Sequence, residues 1–154
     1  VLDIYIDGDG CPVKQEVYRV AKRHGLEVTL VANARMATPP GDFVRLVVVG
    51  GRFDAADDWI AAHAGADDIV ISGDIPLAAR CLKKGARVIG TTGREFTEEN
   101  IGAALATREL LSHLREIGET TGGPAPFDPR DRSRFLHRLD ETIQAVKRRG
   151  REGG

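Results

Sequence analysis

Cysteine is nearly absent: Cys11 and Cys81 are the two in 154 residues, too few for a disulfide framework and not spaced as a CxxC pair or a zinc motif. Cys11 precedes a predicted helix, a position that favours thiolate, but neighbouring carboxylates oppose that, and both cysteines read as packing residues. Aromatics make up 5% with one tryptophan, which excludes the stacking platform of single-strand binders. No run approaches the roughly 18 apolar residues of a membrane span. The start shows no cleavable signal pattern, so the cytoplasm is the expected location and no membrane the expected partner. Net charge is −1, so no global field draws a polyanion. There is no internal repeat.

What is present is ordinary for a globular chain, with 42% hydrophobic and 29% charged residues. The length predicts one domain over 1–149 and a flexible tail over 150–154. Charge is unevenly placed, since Arg130–Gly154 carries eight Arg or Lys against four Asp or Glu. Such an end either holds a polyanion or is a solvated helix.

Apolar β-rich runs alternate with helical spacing. Strands are predicted at Ile4–Ile6, Leu26–Val31, Phe43–Val49, Asp68–Ser72 and Ala86–Ile89, and helices at Val13–His24, from Asp54 and over Ile75–Lys84. Asn33–Asp42, with Pro39, Pro40 and Gly41, reads as a loop. This alternation implies right-handed crossovers and an α/β fold with a doubly wound, mainly parallel five-stranded sheet. Helices follow at Thr97–Arg115, with Ile101, Ala104, Leu105, Leu111 and Leu114 inward, and at Arg132–Arg148, with Phe135, Leu136, Leu139, Ile143 and Val146 inward. Gly118–Pro129 between them reads as a loop.

The carboxylates carry the chemistry. Asp7 and Asp9 close strand one, Asp74 closes strand four, and Asp54, Asp57 and Asp58 stand at i, i+3 and i+4 in the helix after strand three. Singly, Asp9, Asp54 and Asp74 are each explained as helix caps. Jointly they fall where an open sheet binds its ligand, at the carboxyl ends of the strands. Two carboxylates about 6 Å apart repel by roughly 3 kcal/mol at an effective dielectric of 20, so a positive group is expected among them. No histidine enters these motifs, and His24, His63, His113 and His137 fall in predicted helices. An all-oxygen ligand set suits Mg²⁺ or Mn²⁺, the ions that activate water at a phosphoryl group. Lys14 and Arg94 are candidate phosphate contacts from the same crevice.

Taken in order, DGDGCPVK, VAN, GRFDAADDWI, DIVISGDIPLAARCLKKGA, TTGREFTEENI, TGGP and DRSRF resemble the YaiI/YqxD family of uncharacterised bacterial proteins over nearly the whole chain. That family is similar to PIN-like domains, metal-dependent nucleases with an acidic pocket on a parallel sheet. The resemblance implies Mg²⁺ or Mn²⁺ held by Asp7, Asp74 and one or more of Asp54, Asp57 and Asp58, with Asp9 beside them and Glu95 or Glu98 as a fourth acid. It implies a nucleic-acid partner, RNA in the first place, and fixes no oligomeric state. The chain departs from the family pattern at Gly8 and Gly10, where alanines are usual, and at Thr92, where an arginine is usual, which leaves Arg94 as its replacement.

Three other readings compete. IYIDGDGCPV resembles the opening of haloacid-dehalogenase phosphatases, with Asp7 as nucleophile and Asp9 as acid, but Lys83 and Lys84 follow Asp74 where such enzymes need a preceding lysine. A response-regulator receiver would need an aspartate where Gly50 stands and a lysine where Thr91 stands. A non-catalytic RNA- or nucleotide-binding module would use the basic C-terminal end, its carboxylates serving as caps.

Overall fold

The computed structural model describes residues 2–51, 54–118 and 127–153, so most of the loop expected at Gly118–Pro129 lies outside the described residues. The chain order is β1 (Asp3–Asp7), α1 (Lys14–His24), β2 (Glu27–Ala32), β3 (Val44–Val48), α2 (Ala55–His63), β4 (Ile69–Ile71), α3 (Ile75–Lys83), β5 (Arg87–Ile89), β6 (Glu95–Phe96), α4 (Glu98–Glu116) and α5 (Pro129–Gly153).

The strands form one sheet in the order β3-β2-β1-β4-β5-β6. β1 to β5 pair parallel with their neighbours, in a register that sets Asp7 beside Val31 and Ile6 beside Ile71. The chain builds outward from β1 to β3 and then crosses back to β4, so the winding reverses between β1 and β4. A crevice opens at such a reversal, at the carboxyl ends of the two strands.

The expected count of five strands is corrected to six. Gly90 N–H donates to the Arg94 carbonyl (2.8 Å) and Gly93 N–H to the Gly90 carbonyl (3.0 Å), turning the chain so that Glu95–Phe96 pairs antiparallel with β5. A two-residue strand is too short to register as a hydrophobic period. Gly93 is obligatory at this turn. Its φ is +91°, and a Cβ there would stand 2.7 Å from the carbonyl carbon of Arg134 on α5.

Both faces of the sheet are covered. On one, Ile4, Ile6, Leu30, Ile69, Ile71 and Ile89 pack with Val17, Val20 and Ala21 of α1 and Phe135, Leu139, Ile143 and Val146 of α5. On the other, Tyr5, Val31, Val70 and Val88 pack with Ile60 of α2, Leu77 and Cys81 of α3 and Ala104 of α4. Alternate side chains of a strand face opposite sides, and strands buried on both faces read as continuous apolar runs. The inward residues expected on the last helix are thus in place, although α5 begins earlier and runs to Gly153, through residues read as a tail.

α4 departs from expectation. Thr97 and Asn100 close its N-terminus as a reciprocal capping box. Of the five residues expected to point inward, Ala104 is buried and Ile101 is partly buried against the core, whereas Leu111 is exposed.

Candidate active site at the carboxyl ends of β1 and β4

Asp7 is the last residue of β1. Its carboxylate accepts a hydrogen bond from the Ser72 hydroxyl (3.0 Å). Ser72 is buried just beyond β4, where its N–H donates to the Ile89 carbonyl (3.1 Å). Its hydroxyl oxygen also accepts the N–H of Asp74 (3.0 Å). One hydroxyl therefore ties the end of β1 to the turn leaving β4, using its proton on one side and a lone pair on the other.

Asp74 caps α3. Its Oδ1 accepts the Leu77 N–H (2.8 Å), with a proline in the first turn of the helix. The cap anchors the side chain, and the unpaired N–H groups of the helix end favour negative charge there.

Asp57 comes from the first turn of α2. Its pKa is pushed up to about 6 by burial, then by the charges of Asp74 and Asp7, and by a hydrogen bond with Asp74. Burial also holds Asp7 above the usual carboxylate range, against the lowering effect of the Ser72 hydrogen bond and with the charges of Asp74 and Asp9 adding to it. Asp7, Asp57 and Asp74 are thus one electrostatic unit drawn from β1, α2 and the β4–α3 turn.

The other expected residues are placed differently. Asp58 forms an ion pair with Arg80 of α3 (2.8 Å). Asp54 is the N-cap residue of α2, and its carbonyl accepts the Asp58 N–H (3.0 Å). Asp9 couples to Asp7, yet its Oδ2 accepts the Asn33 N–H (3.1 Å) and pins the loop after β1 to the end of β2. The Lys14 ammonium donates to the carbonyls of Gly8 (3.1 Å) and Cys11 (3.0 Å), bracing that same loop. Arg94 lies over the Phe96 ring, 5.4 Å from its centroid. Glu95 is paired with Arg87 (3.5 Å) and Arg138 (3.8 Å).

Ser72 is the residue the sequence reading passed over, and its signal was available. A serine two residues before a capping aspartate, with glycine between, is a pattern that hydrogen-bonds local backbone N–H groups.

Among the described residues, no group of three or more His, Cys, Asp or Glu side chains stands ready in metal-ligating geometry. Asp57 and Asp74 share a proton below about pH 6, where Asp57 is neutral and can donate to the Asp74 carboxylate. The donors are all carboxylate oxygens, the set that matches hard divalent cations. Also among the described residues, no helix is long and apolar enough to cross a membrane.

The profile of the uncharacterised YaiI/YqxD family matches residues 5–145. A UPF0178 protein of Rhodospirillum rubrum is 58% identical over 148 residues, covering 96% of this chain and 99% of that protein. One from a Bradyrhizobium species is 54% identical over 147 residues, covering 96% and 90%. One from Parvibaculum lavamentivorans is 54% identical over 147 residues, covering 96% and 97%.

Proposed function

The chain belongs to the YaiI/YqxD family, whose name assigns no reaction, and we propose from its acidic edge that it is a PIN-like, divalent-metal-dependent nuclease. The observation that carries this reading is the convergence of Asp7, Asp57 and Asp74 from β1, α2 and the β4–α3 turn, with the Ser72 hydroxyl joining the Asp7 carboxylate to the Asp74 backbone and Asp57 raised to about 6 by burial and by its two acidic neighbours. A carboxylate cluster relieved by a shared proton is one that a cation relieves better at neutral pH.

Asp7, Asp57 and Asp74 would hold Mg²⁺ or Mn²⁺. When bound, such an ion polarises a phosphoryl oxygen and supplies a nucleophile from water at neutral pH. Ser72 keeps Asp7 oriented. The α3 N-terminus fixes Asp74, so two ligands are preset, and Asp57, ionised above about pH 6, would supply the third. Asp9 and Lys14 shape the loop after β1, beside these carboxylates. Arg94, at the neighbouring hairpin, is the candidate phosphate contact, and RNA or DNA is the substrate class.

The test is a calorimetric titration of Mn²⁺ into the metal-free protein, beside folded Asp7→Asn and Asp74→Asn variants. Saturable binding lost in both variants supports the reading and leads to a screen of RNA and DNA oligonucleotides. Absence of binding, repeated with an oligonucleotide present, sinks it.

A further inference from the structure

α4 carries two apolar stripes. On the first, Ala104 is buried and Ile101 is packed at the core margin, with Leu105 half-buried one residue on. The second stripe runs Ala103, Thr107, Leu110, Leu114 and Ile117, with Leu111 beside it. Its steps of four, three, four and three residues follow a 3.5-residue period, the spacing of a helix-pairing seam. Leu110 is 58% exposed and Ile117 60%, with Leu111 beside them at 40% and Leu114 half-buried, so of the four large exposed hydrophobic residues of the described chain two lie on this stripe and a third flanks it. The charged residues of the segment, Arg108, Glu109, Arg115 and Glu116, project from the other side of the helix, about a third of a turn or more from the seam.

We propose that this stripe pairs with the α4 helix of a second copy of the chain, in antiparallel sense. The seam matches itself in that arrangement. With the two-fold axis level with Ser112, Leu110 meets the partner copy's position 114 and Thr107 meets position 117, and the reverse contacts follow by symmetry. Small therefore faces large at the ends, and leucine faces leucine in the middle. The positions that flank the seam hold Ala106, Leu111 and His113, so no carboxylate or amine is buried. Antiparallel pairing also sets the helix dipoles head to tail, whereas a parallel pair would oppose them and place Thr107 against Thr107. The seam spans about two heptads, less than a standard-size interface, so the dimer dissociates on dilution.

Sedimentation equilibrium of the full chain tests this over a concentration series. The expected result is a shift toward twice the 16.7 kDa of one chain as concentration rises, abolished by Leu110→Glu at an exposed position that leaves the core intact. A mixture of Leu110→Cys and Leu114→Cys chains should form a disulfide-linked dimer faster than either variant alone. Cys11 and Cys81 are buried and do not compete. A monomer at every concentration, a Leu110→Glu protein that still dimerises, or crosslinking no faster in the mixture would overturn the proposal. None of these outcomes bears on metal binding at Asp7.

Discussion

Replacing Asp57 by asparagine separates the electrostatics of the acidic edge from its chemistry. The shift from 3.8 to about 6 is near two units, an upper bound of about 3 kcal/mol. Asp57 is only partly buried, so solvent screening reduces this to about 1 kcal/mol. The sign follows from proton counting. Between about pH 4 and pH 6 the folded chain keeps a proton that the unfolded chain has released, so wild-type stability falls as pH rises through that window and is level above it. The amide of the Asp57→Asn variant does not titrate, and it still donates to Asp74. The variant should match the wild type near pH 4 and exceed it by about 1 kcal/mol at pH 7, a rise of roughly 2–4 °C in Tm for a chain of this size. Thermal and urea denaturation across pH 4 to 8 read this directly. A variant equally or less stable at pH 7, with the wild-type pH dependence retained, refutes the coupling of Asp57 to Asp74 and Asp7. Saturating Mn²⁺ should reverse the order, because binding to the folded state raises the wild type and not the variant.

Ser72→Ala removes a hydroxyl bonded on both sides. It should cost about 1–3 kcal/mol in urea unfolding and raise the Asp7 pKa in a carboxyl-carbon NMR titration. Gly93→Ala places a methyl group against the Arg134 backbone at a positive φ, and calorimetry should show a loss of about 3 kcal/mol. Thr97→Ala opens the capping box of α4, with about 1 kcal/mol lost and faster amide exchange in the first turn of that helix.

Much of the fold was legible because buried parallel strands advertise themselves. Ile4–Ile6 and Ile69–Ile71 are short apolar runs between turn residues, and their ends placed Asp7 and Asp74 without any knowledge of long-range contacts. Legibility stopped where a choice depended on residues distant in sequence. Asp57 and Asp58 are both compatible with one helix face, and what separates them is Arg80, 22 positions on from Asp58, which draws Asp58 away. Lys14 is a candidate phosphate contact by its place in the sequence, but two nearby carbonyls take its ammonium, and nothing local in the sequence marks that bracing. α4 misled for a related reason. A helix with two apolar stripes does not announce which one its own domain covers.

The connection from β2 to β3 contains no helix. Residues 33–43 cross instead as a loop with Pro39 and Pro40, and Met36 and Phe43 contribute part of the packing that a helix would have supplied. The rest comes from α5, whose Phe135, Leu139 and Ile143 are fully buried and whose Asp140 bonds Arg23 (2.9 Å) and His24 (2.7 Å) of α1. α1 is therefore closed by a helix that the ribosome makes long after it. During synthesis β1, β2 and α1 emerge with one apolar face bare, and that face stays bare until α5 has been made. Sequence-distant contacts of this kind slow folding. A ribosome stalled before Phe135 should thus hold a protease-sensitive nascent chain, with protection arriving in one step once α5 clears the exit tunnel.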